Sequence, residues 1–490
     1  MESATPLYLQ LAERIGALVR SGALKRGDRL TSVREMARQQ SVSTSTVLQA
    51  YRHLEDARLI EARPKSGYFV AAPARPGPRA SARVPEPELT QPPPDSNSVD
   101  VSWMAERVFA AATDPDCISF GAACPSGELF QIERLHRAIT RAAHRHRASL
   151  GRYPFAPGIE PLREAVARRA LGMGCQLDPR QILITNGCLE SISLCLRAVT
   201  QPGDIVALES PTYFGFLQIL ESLHLRALEI PTHPRTGLSI PALEFALDTQ
   251  PVKAVLAVPT LSNPIGSTMP LAERRQLARL LSRRGIPLIE DVLYNDLHGR
   301  EGRRAVKSFD ADGHVMICGS FSKTVAPGIR LGWVEAGRWT AQVRRLKAAL
   351  AGGHTELLEL AMAEVLSTPG YEPMLRQLRT TIDARVDEAR RIVGESFPAG
   401  TRVTDPAGGF ILWAELPPEV SSVELFQAGL RERICIAPGP LFTATPRYRN
   451  CVRLGLGGAW GEAQKDALRR VGAIAQAMLK TARRGAECEA

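Results

Sequence analysis

The chain has no run approaching the roughly 18 apolar residues of a membrane-spanning helix, and Met1 to Leu11 is too polar to be the apolar core of a secretory leader. It lacks a Cys-x-x-Cys pair and any His/Cys spacing of the metal-binding type. Its nine cysteines are spread from Cys117 to Cys488, an odd count without a framework, which fits reduced thiols better than disulfides. The expectation is a soluble, cytoplasmic protein with no metal site and no membrane partner. Acidic residues are in deficit: 61 Lys and Arg against 51 Asp and Glu leave a formal charge of +10. Half of that excess, twelve cations against seven anions, lies before residue 76, so a small basic domain with a polyanionic partner is expected at that end. The rest is ordinary for globular protein, with 44% apolar and 23% charged residues, and 490 residues leave room for two or three domains.

Leu7, Leu11, Ile15, Leu18 and Val19 recur at helical spacing, and Ser21-Gly22 ends the pattern. Ser32-Val33-Arg34-Glu35 is a Ser-x-x-Glu capping box opening a second helix. Past Gln40-Ser41-Val42, a third helix carries Val47, Ala50, Tyr51 and Leu54 on one face, with Thr44, Ser45, Thr46 and Gln49 mostly off it. Two short helices around a tight turn read as a helix-turn-helix. Leu59 to Ala62 and Tyr68 to Val70 read as strands of a wing around Arg63-Pro64-Lys65-Ser66-Gly67. Helical spacing alone also fits a small bundle with a solvated basic face. The ordered residues Arg29-Leu30-x-Ser32-x-Arg34-Glu35-x-Ala37, Val42-Ser43-x-x-Thr46-Val47-x-x-Ala50-Tyr51 and Arg63-x-x-Ser66-Gly67-Tyr68-Phe69-Val70 resemble the GntR family of winged-helix regulators over residues 6 to 70. That resemblance implies double-stranded operator DNA as a partner. Arg34 and the start of the third helix, Ser43, Thr44, Ser45 and Thr46, would meet phosphates and major-groove edges, and Lys65 would reach the minor groove. Thr31 stands where the family usually has proline.

Residues 73–98 are proline-rich, poor in apolar residues and without periodicity. They are expected to be a semi-rigid solvated linker between a domain over 1–72 and another over 99–485. In the latter, helical patterns (134–146, 161–171, 189–199, 271–282) alternate with short apolar runs (182–184, 205–208, 254–258, 287–289, 315–317). The alternation predicts an α/β architecture, a mostly parallel sheet covered by helices.

Residues able to do chemistry follow those runs. Ser320-Phe321-Ser322-Lys323, with Arg330 seven residues on, joins two hydroxyls and a guanidinium suited to a phosphate with an amine that can lose its proton when desolvated. Thr185-Asn186-Gly187-Cys188-Leu189 is a glycine turn opening a helix, where backbone N–H groups can cradle a phosphate. Tyr213, after Ser210-Pro211-Thr212, is either a stacking face or a core tyrosine. Asn263, before Pro264-Ile265-Gly266, is an amide donor or part of a plain turn. Asp291, with Tyr294 three residues on, could pair with a protonated ring nitrogen or cap a helix. Arg453, in Cys451-Val452-Arg453-Leu454-Gly455, has the fork to grip a carboxylate or to form a structural ion pair.

Taken in order, these stretches resemble the fold type I pyridoxal-phosphate (PLP) aminotransferases across roughly residues 115 to 480. The resemblance implies PLP as cofactor, with Lys323 forming its aldimine and moving protons, and Asp291 keeping the pyridine nitrogen protonated. Asn263 and Tyr294 would bind the ring oxygen and Tyr213 would stack. Gly187, Cys188 and Leu189 amides, Ser320, Ser322 and Arg330 would hold the phosphate, and Tyr153 would reach the phosphate of the partner subunit in a homodimer. Arg453 would take the α-carboxylate of an amino compound. Ile265 replaces a usual threonine, and Cys124-Pro125-Ser126 replaces a glycine- and aspartate-containing stretch where substrate approaches. The winged helix joined to such a body resembles the MocR subfamily of bacterial transcription regulators. This implies a homodimer that senses PLP or an amino-compound effector, with a working aminotransferase as the alternative.

Overall fold

Two serine caps set the helices of the N-terminal unit. Ser32 Oγ accepts from the Glu35 N–H at 3.3 Å and starts α2 (Val33–Gln39), following α1 (Leu7–Arg20). Ser43 Oγ accepts from the Thr46 N–H at 3.1 Å and starts α3 (Thr44–Asp56). Each cap satisfies a backbone donor that the first helical turn leaves orphaned. Antiparallel strands β1 (Ile60–Arg63) and β2 (Gly67–Val70) pair Ile60 with Val70 and Arg63 with Gly67, as a wing requires. Leu11, Ile15, Val47, Ala50, Tyr51, Leu54, Ile60 and Val70 form the core of this unit. The Tyr51 hydroxyl donates to the Thr31 carbonyl at 2.6 Å, so the entry to α2 is tied down where a proline was expected. The computed structural model describes residues 7–20, 24, 27–57, 59–63, 67–71 and 84–489. Lys65 and the wing tip lie outside them.

The second unit begins at Val84. All five apolar runs are strands of an eight-stranded sheet: β3 (Ile182–Thr185), β4 (Ile205–Ser210), β5 (Arg226–His233), β6 (Gly237–Leu238), β7 (Val252–Ala257), β8 (Leu288–Asp291), β9 (Val315–Ser320) and β10 (Gly332–Glu335). Their order is β3-β10-β9-β8-β7-β4-β5-β6. Neighbours from β9 through β5 are parallel, whereas β10 is antiparallel to both β9 and β3, and β6 to β5. β3, β4, β8 and β9 are buried at every residue, which is why they read as unbroken apolar runs rather than alternating ones. Helices over Ile132–Arg145, Glu160–Ala170, Cys188–Val199 and Leu271–Arg284 match the periodic stretches. A second, antiparallel sheet in the order β11-β12-β14-β13 joins β11 (Arg402–Val403), β12 (Ile411–Glu415), β13 (Ala437–Pro438) and β14 (Cys451–Gly455), and carries Arg453. Among the described residues no helix is long and apolar enough to cross a membrane.

Residues 84–98 depart from the expected solvated linker. The Val403 N–H donates to the Pro85 carbonyl at 2.8 Å, and Asn97 and Ala227 exchange backbone bonds at 2.8 and 2.9 Å. The Thr90 hydroxyl donates to the Ser210 carbonyl at 2.7 Å and accepts from the Thr232 N–H at 2.8 Å. Glu86 and Glu88 pair with Arg235 and Arg402. Proline brings no N–H that needs a partner, so the remaining backbone groups, the Thr90 and Ser96 hydroxyls and these ion pairs fasten this segment to the body. The rest of the span expected as linker, 73–83, lies outside the described residues.

Candidate functional site

The carboxyl ends of β8 and β9 and the turn after β3 meet at one cavity, as open α/β sheets arrange their ligand sites. At the end of β9, Ser320 Oγ donates to the Leu331 carbonyl and lies 2.9 Å from Ser322 Oγ, which fixes both hydroxyls. Lys323 follows, its Nζ donating to the Ala123 carbonyl at 2.6 Å. Burial pushes its ammonium pKa down, toward the free amine a carbonyl partner needs. Arg330 sits in the left-handed region at φ +51°, and its Nη2 donates to the Asn186 carbonyl at 3.2 Å. Gly187 is required beneath it. At φ +80° it turns the chain into α4 (Cys188–Val199), and a Cβ there would stand 2.8 Å from the Arg330 guanidinium. The result is a helix N-terminus, a guanidinium and two hydroxyls around one place, the donor set of a phosphate site.

Asp291, at the end of β8, accepts from the Leu293 N–H at 2.8 Å and from the Cys188 thiol at 3.3 Å. Burial pushes its pKa up to about 6, against the lowering effect of those two bonds. A carboxyl so buried gains from a cationic partner. Tyr213 and Tyr294 line the same space, with burial pushing the Tyr213 hydroxyl up to about 12 and that of Tyr294 upward as well. Arg453 is 1% exposed. Its Nη1 donates to Asn263 Oδ1 at 3.4 Å, its Nη2 to the Gly121 carbonyl, and its Nε has no partner. The rings of Phe442 and Phe214 lie 5.1 and 5.8 Å from the guanidinium carbon. An unpaired buried donor costs about 1–3 kcal/mol, so this arginine is set to receive an acceptor such as a carboxylate.

Of the residues expected around a cofactor, Cys188, Leu189, Tyr213, Asn263, Asp291, Tyr294, Ser320, Ser322, Lys323, Arg330 and Arg453 line the cavity, and Gly187 backs Arg330. Tyr153 does not line it and is 87% exposed. The arrangement suits a planar heteroaromatic aldehyde bearing a phosphate: an acid for the ring nitrogen, an amine for the aldehyde, and the donor set above for the dianion. On the N-terminal unit, Arg34, Ser43, Thr44 and Ser45 are exposed and Thr46 is half-buried. The Ser43 hydroxyl caps α3 and bonds to Ser45 Oγ and Thr46 Oγ1 at 2.7 and 2.8 Å, so its first duty is to the helix. Among the described residues no group of three or more His, Cys, Asp or Glu side chains is arranged for a metal ion.

Sequence reasoning missed the layer behind the turn at Gly187. Glu190 accepts from the Asn186 N–H at 2.6 Å and from Lys347 Nζ at 2.9 and 3.0 Å; Lys347 lies in α5 (Thr340–Ala351). An acid three residues past the turn glycine is a signal of helix-start capping that could have been read. Lys347 gives none, because in sequence it resembles any helix-surface lysine. It also missed the aromatic flanks of Arg453 and the buried Glu209, which accepts from the Val258 N–H at 3.0 Å and whose pKa burial pushes to about 8.

Two family patterns match the chain: aminotransferase class I and II over residues 115–464, and bacterial regulatory proteins of the gntR family over residues 7–70. Two similar curated proteins are uncharacterized HTH-type transcriptional regulators of Escherichia coli (strain K12), YjiR and YdcR. Each is 35% identical, over 96% of this chain and 99% of its own length. Among solved structures, LysN, the alpha-aminoadipate aminotransferase of Thermus thermophilus complexed with N-(5'-phosphopyridoxyl)-L-leucine, superposes with a TM-score of 0.71 at 25% identity. That match covers 77% of this chain and 99% of that one.

Proposed function

From the premise that this chain belongs to the aminotransferase class I and II family and carries a gntR-family DNA-binding domain at its N-terminal end, we propose that it is a PLP-binding transcription regulator. In this reading its affinity for operator DNA depends on whether the cavity holds PLP, alone or with an amino compound. The observation that carries the reading is the buried Asp291 across one cavity from an amine of lowered pKa, Lys323, with Arg330, Ser320, Ser322 and the start of α4 forming an anion site. Bound there, PLP supplies an aldehyde that joins amines reversibly and a ring that withdraws electrons. The chain's part is to hold and orient. Asp291 keeps a proton on the ring nitrogen, Asn263 and Tyr294 donate to the ring oxygen, and Tyr213 covers a face. Gly187, Cys188 and Leu189 offer amides to the phosphate, and Arg453 offers Nε to the effector's carboxylate.

Tyr153, Leu150 and Phe155 are large, exposed side chains in one short stretch, which supports a second copy of the chain as partner, with Tyr153 reaching the partner's phosphate site. The scattered cysteines support a reducing cytoplasm. A second reading, a working aminotransferase that also binds DNA, is favoured by the intact lysine, aspartate and carboxylate-binding arginine. A ligand moves a regulator between states only through different affinities for them. The test is binding of the full chain to its own upstream DNA, with and without PLP, across a panel of amino acids. PLP or one amino acid should change DNA affinity about fivefold or more. Arg34→Ala should weaken binding and reduce its salt dependence, and Lys323→Ala should leave the protein colourless with PLP. Unchanged DNA affinity, occupancy and bending throughout would defeat sensing, and steady turnover with a 2-oxo acid would favour the enzyme.

A further inference from the structure

We infer that the Cys188 side chain is a positioning group for Asp291: its thiol donates to one carboxylate oxygen, Oδ1, and so leaves the other, Oδ2, to meet the ring nitrogen of the cofactor. The inference rests on the PLP reading above and adds the group that orients the carboxyl. It separates two parts of one residue, a backbone N–H offered to the phosphate and a side chain turned to Asp291.

Cys188 is the first residue of α4 and Asp291 the last of β8. The turn at Gly187, φ +80°, brings the first side chain of the helix to the end of that strand. Both donors to Asp291 reach the same atom: the Leu293 N–H meets Oδ1 at 2.8 Å and the Cys188 thiol meets it at 3.3 Å. Leu293 lies two residues on in the same stretch of chain, whereas Cys188 comes from a different element, and two donors of separate origin on one oxygen hold the carboxylate in one orientation. No described residue bonds to Oδ2, and Asp291 lines the cavity. Lys323 does not set this orientation, since its Nζ donates to the Ala123 carbonyl instead.

A thiol suits this place because it keeps its proton. Burial first, and then the Asp291 charge, push the Cys188 thiol well above its usual pKa, so sulfur remains a donor while Asp291 ionises. A thiol is a weak donor to a neutral acceptor and a better one to a carboxylate. Being neutral, it leaves the charge of Asp291 for the ring nitrogen, where a cationic side chain would compete for it. Cys188 and Asp291 are 6% and 4% exposed within one copy of the chain, so their contact does not depend on what a second copy adds to the cavity.

The test uses the full chain, free of cofactor, and reads first the infrared S–H stretching band of Cys188, isolated in each background by subtracting the spectrum of the matching Cys188→Ser variant. Asp291→Ala should move that band to higher frequency, as loss of a charged acceptor does; a band that stays where it is would overturn the inference. PLP affinity is then measured by absorbance, and the affinity for inorganic phosphate by competition with PLP. Cys188→Ala should weaken PLP about fivefold, the worth of one weak hydrogen bond to a charged group. It should leave phosphate within about twofold, because phosphate alone meets the backbone amides and not Asp291. Unchanged PLP affinity, or PLP and phosphate weakened alike, would mean that Cys188 serves only the turn, and would overturn this inference while the cofactor reading stands. A protein that never turns yellow with PLP would overturn the cofactor reading and with it the part assigned to Oδ2, whereas the infrared measurement is made without cofactor and fails on its own.

Discussion

Lys347→Met should destabilise the body by about 3 kcal/mol. The side chain is 0% exposed and its ammonium donates to both oxygens of Glu190, at 3.0 and 2.9 Å. Methionine keeps most of the length and volume and removes the charge, leaving Glu190 with the Asn186 N–H at 2.6 Å and without its cation. Breaking a buried pair from one side costs about 3–5 kcal/mol, because the remaining charge stays desolvated. Glu190 is 19% exposed, which lets water relieve part of that and sets the lower end. All five tryptophans, Trp103, Trp333, Trp339, Trp413 and Trp460, lie in the body, so urea unfolding followed by their fluorescence reports this unit and not the DNA-binding one. PLP affinity should fall with stability, since Asn186 to Leu189 lose the anchor of their turn. Lys347→Met combined with Glu190→Gln should recover at least half of the loss, because no unpaired charge remains. A single variant that loses less than about 1 kcal/mol, or a double variant less stable than the single, would refute the assignment of this pair as the support of the phosphate end.

Asp291→Asn should change how the cofactor-free protein responds to pH. The folded pKa, about 6, lies above the ordinary 3.8, so the folded state prefers the protonated carboxyl; the penalty for ionising it grows as pH rises from 3.8 to 6 and is complete above 6. The stability difference between variant and wild type should therefore swing by about 3 kcal/mol in the variant's favour across that window, and a difference flat with pH would contradict it. Ser43→Ala should cost the N-terminal unit about 1 kcal/mol through the lost cap of α3 and leave the tryptophan transition of the body where it is. Amide exchange over residues 44–48 should rise about fivefold, and unchanged exchange would mean the cap contributes nothing.

How much of this was legible in the sequence depends on whether the signal is local. β8 and β9 are buried on both faces, so they appear as apolar runs that need no partner to be recognised. Ser320, Ser322, Lys323 and Arg330 lie within eleven residues, and their chemistry reads as a unit. Arg453 and Asn263 are far apart in the chain and meet across two sheets, so only their order in a family pattern hinted that they share a site. β10 could not be read as an antiparallel strand, because its pairing with β9 and β3 leaves no trace in composition. Residues 84–98 misled for the opposite reason. They are held by backbone hydrogen bonds, the Thr90 and Ser96 hydroxyls and ion pairs, and a segment that buries little apolar surface has the composition of a spacer.

That segment is held close to the wall of the cavity. Its Pro85 carbonyl accepts from the Val403 N–H of β11, and the Thr90 hydroxyl bridges the Ser210 carbonyl and the Thr232 amide. Ser210 is in turn clamped by its own hydroxyl to Glu229 and, at 2.7 Å, to the Tyr448 hydroxyl, and three residues later stands Tyr213 in the cavity wall. Thr90 thus fastens residues 84–98 to the end of β4, beside the wall of the cavity.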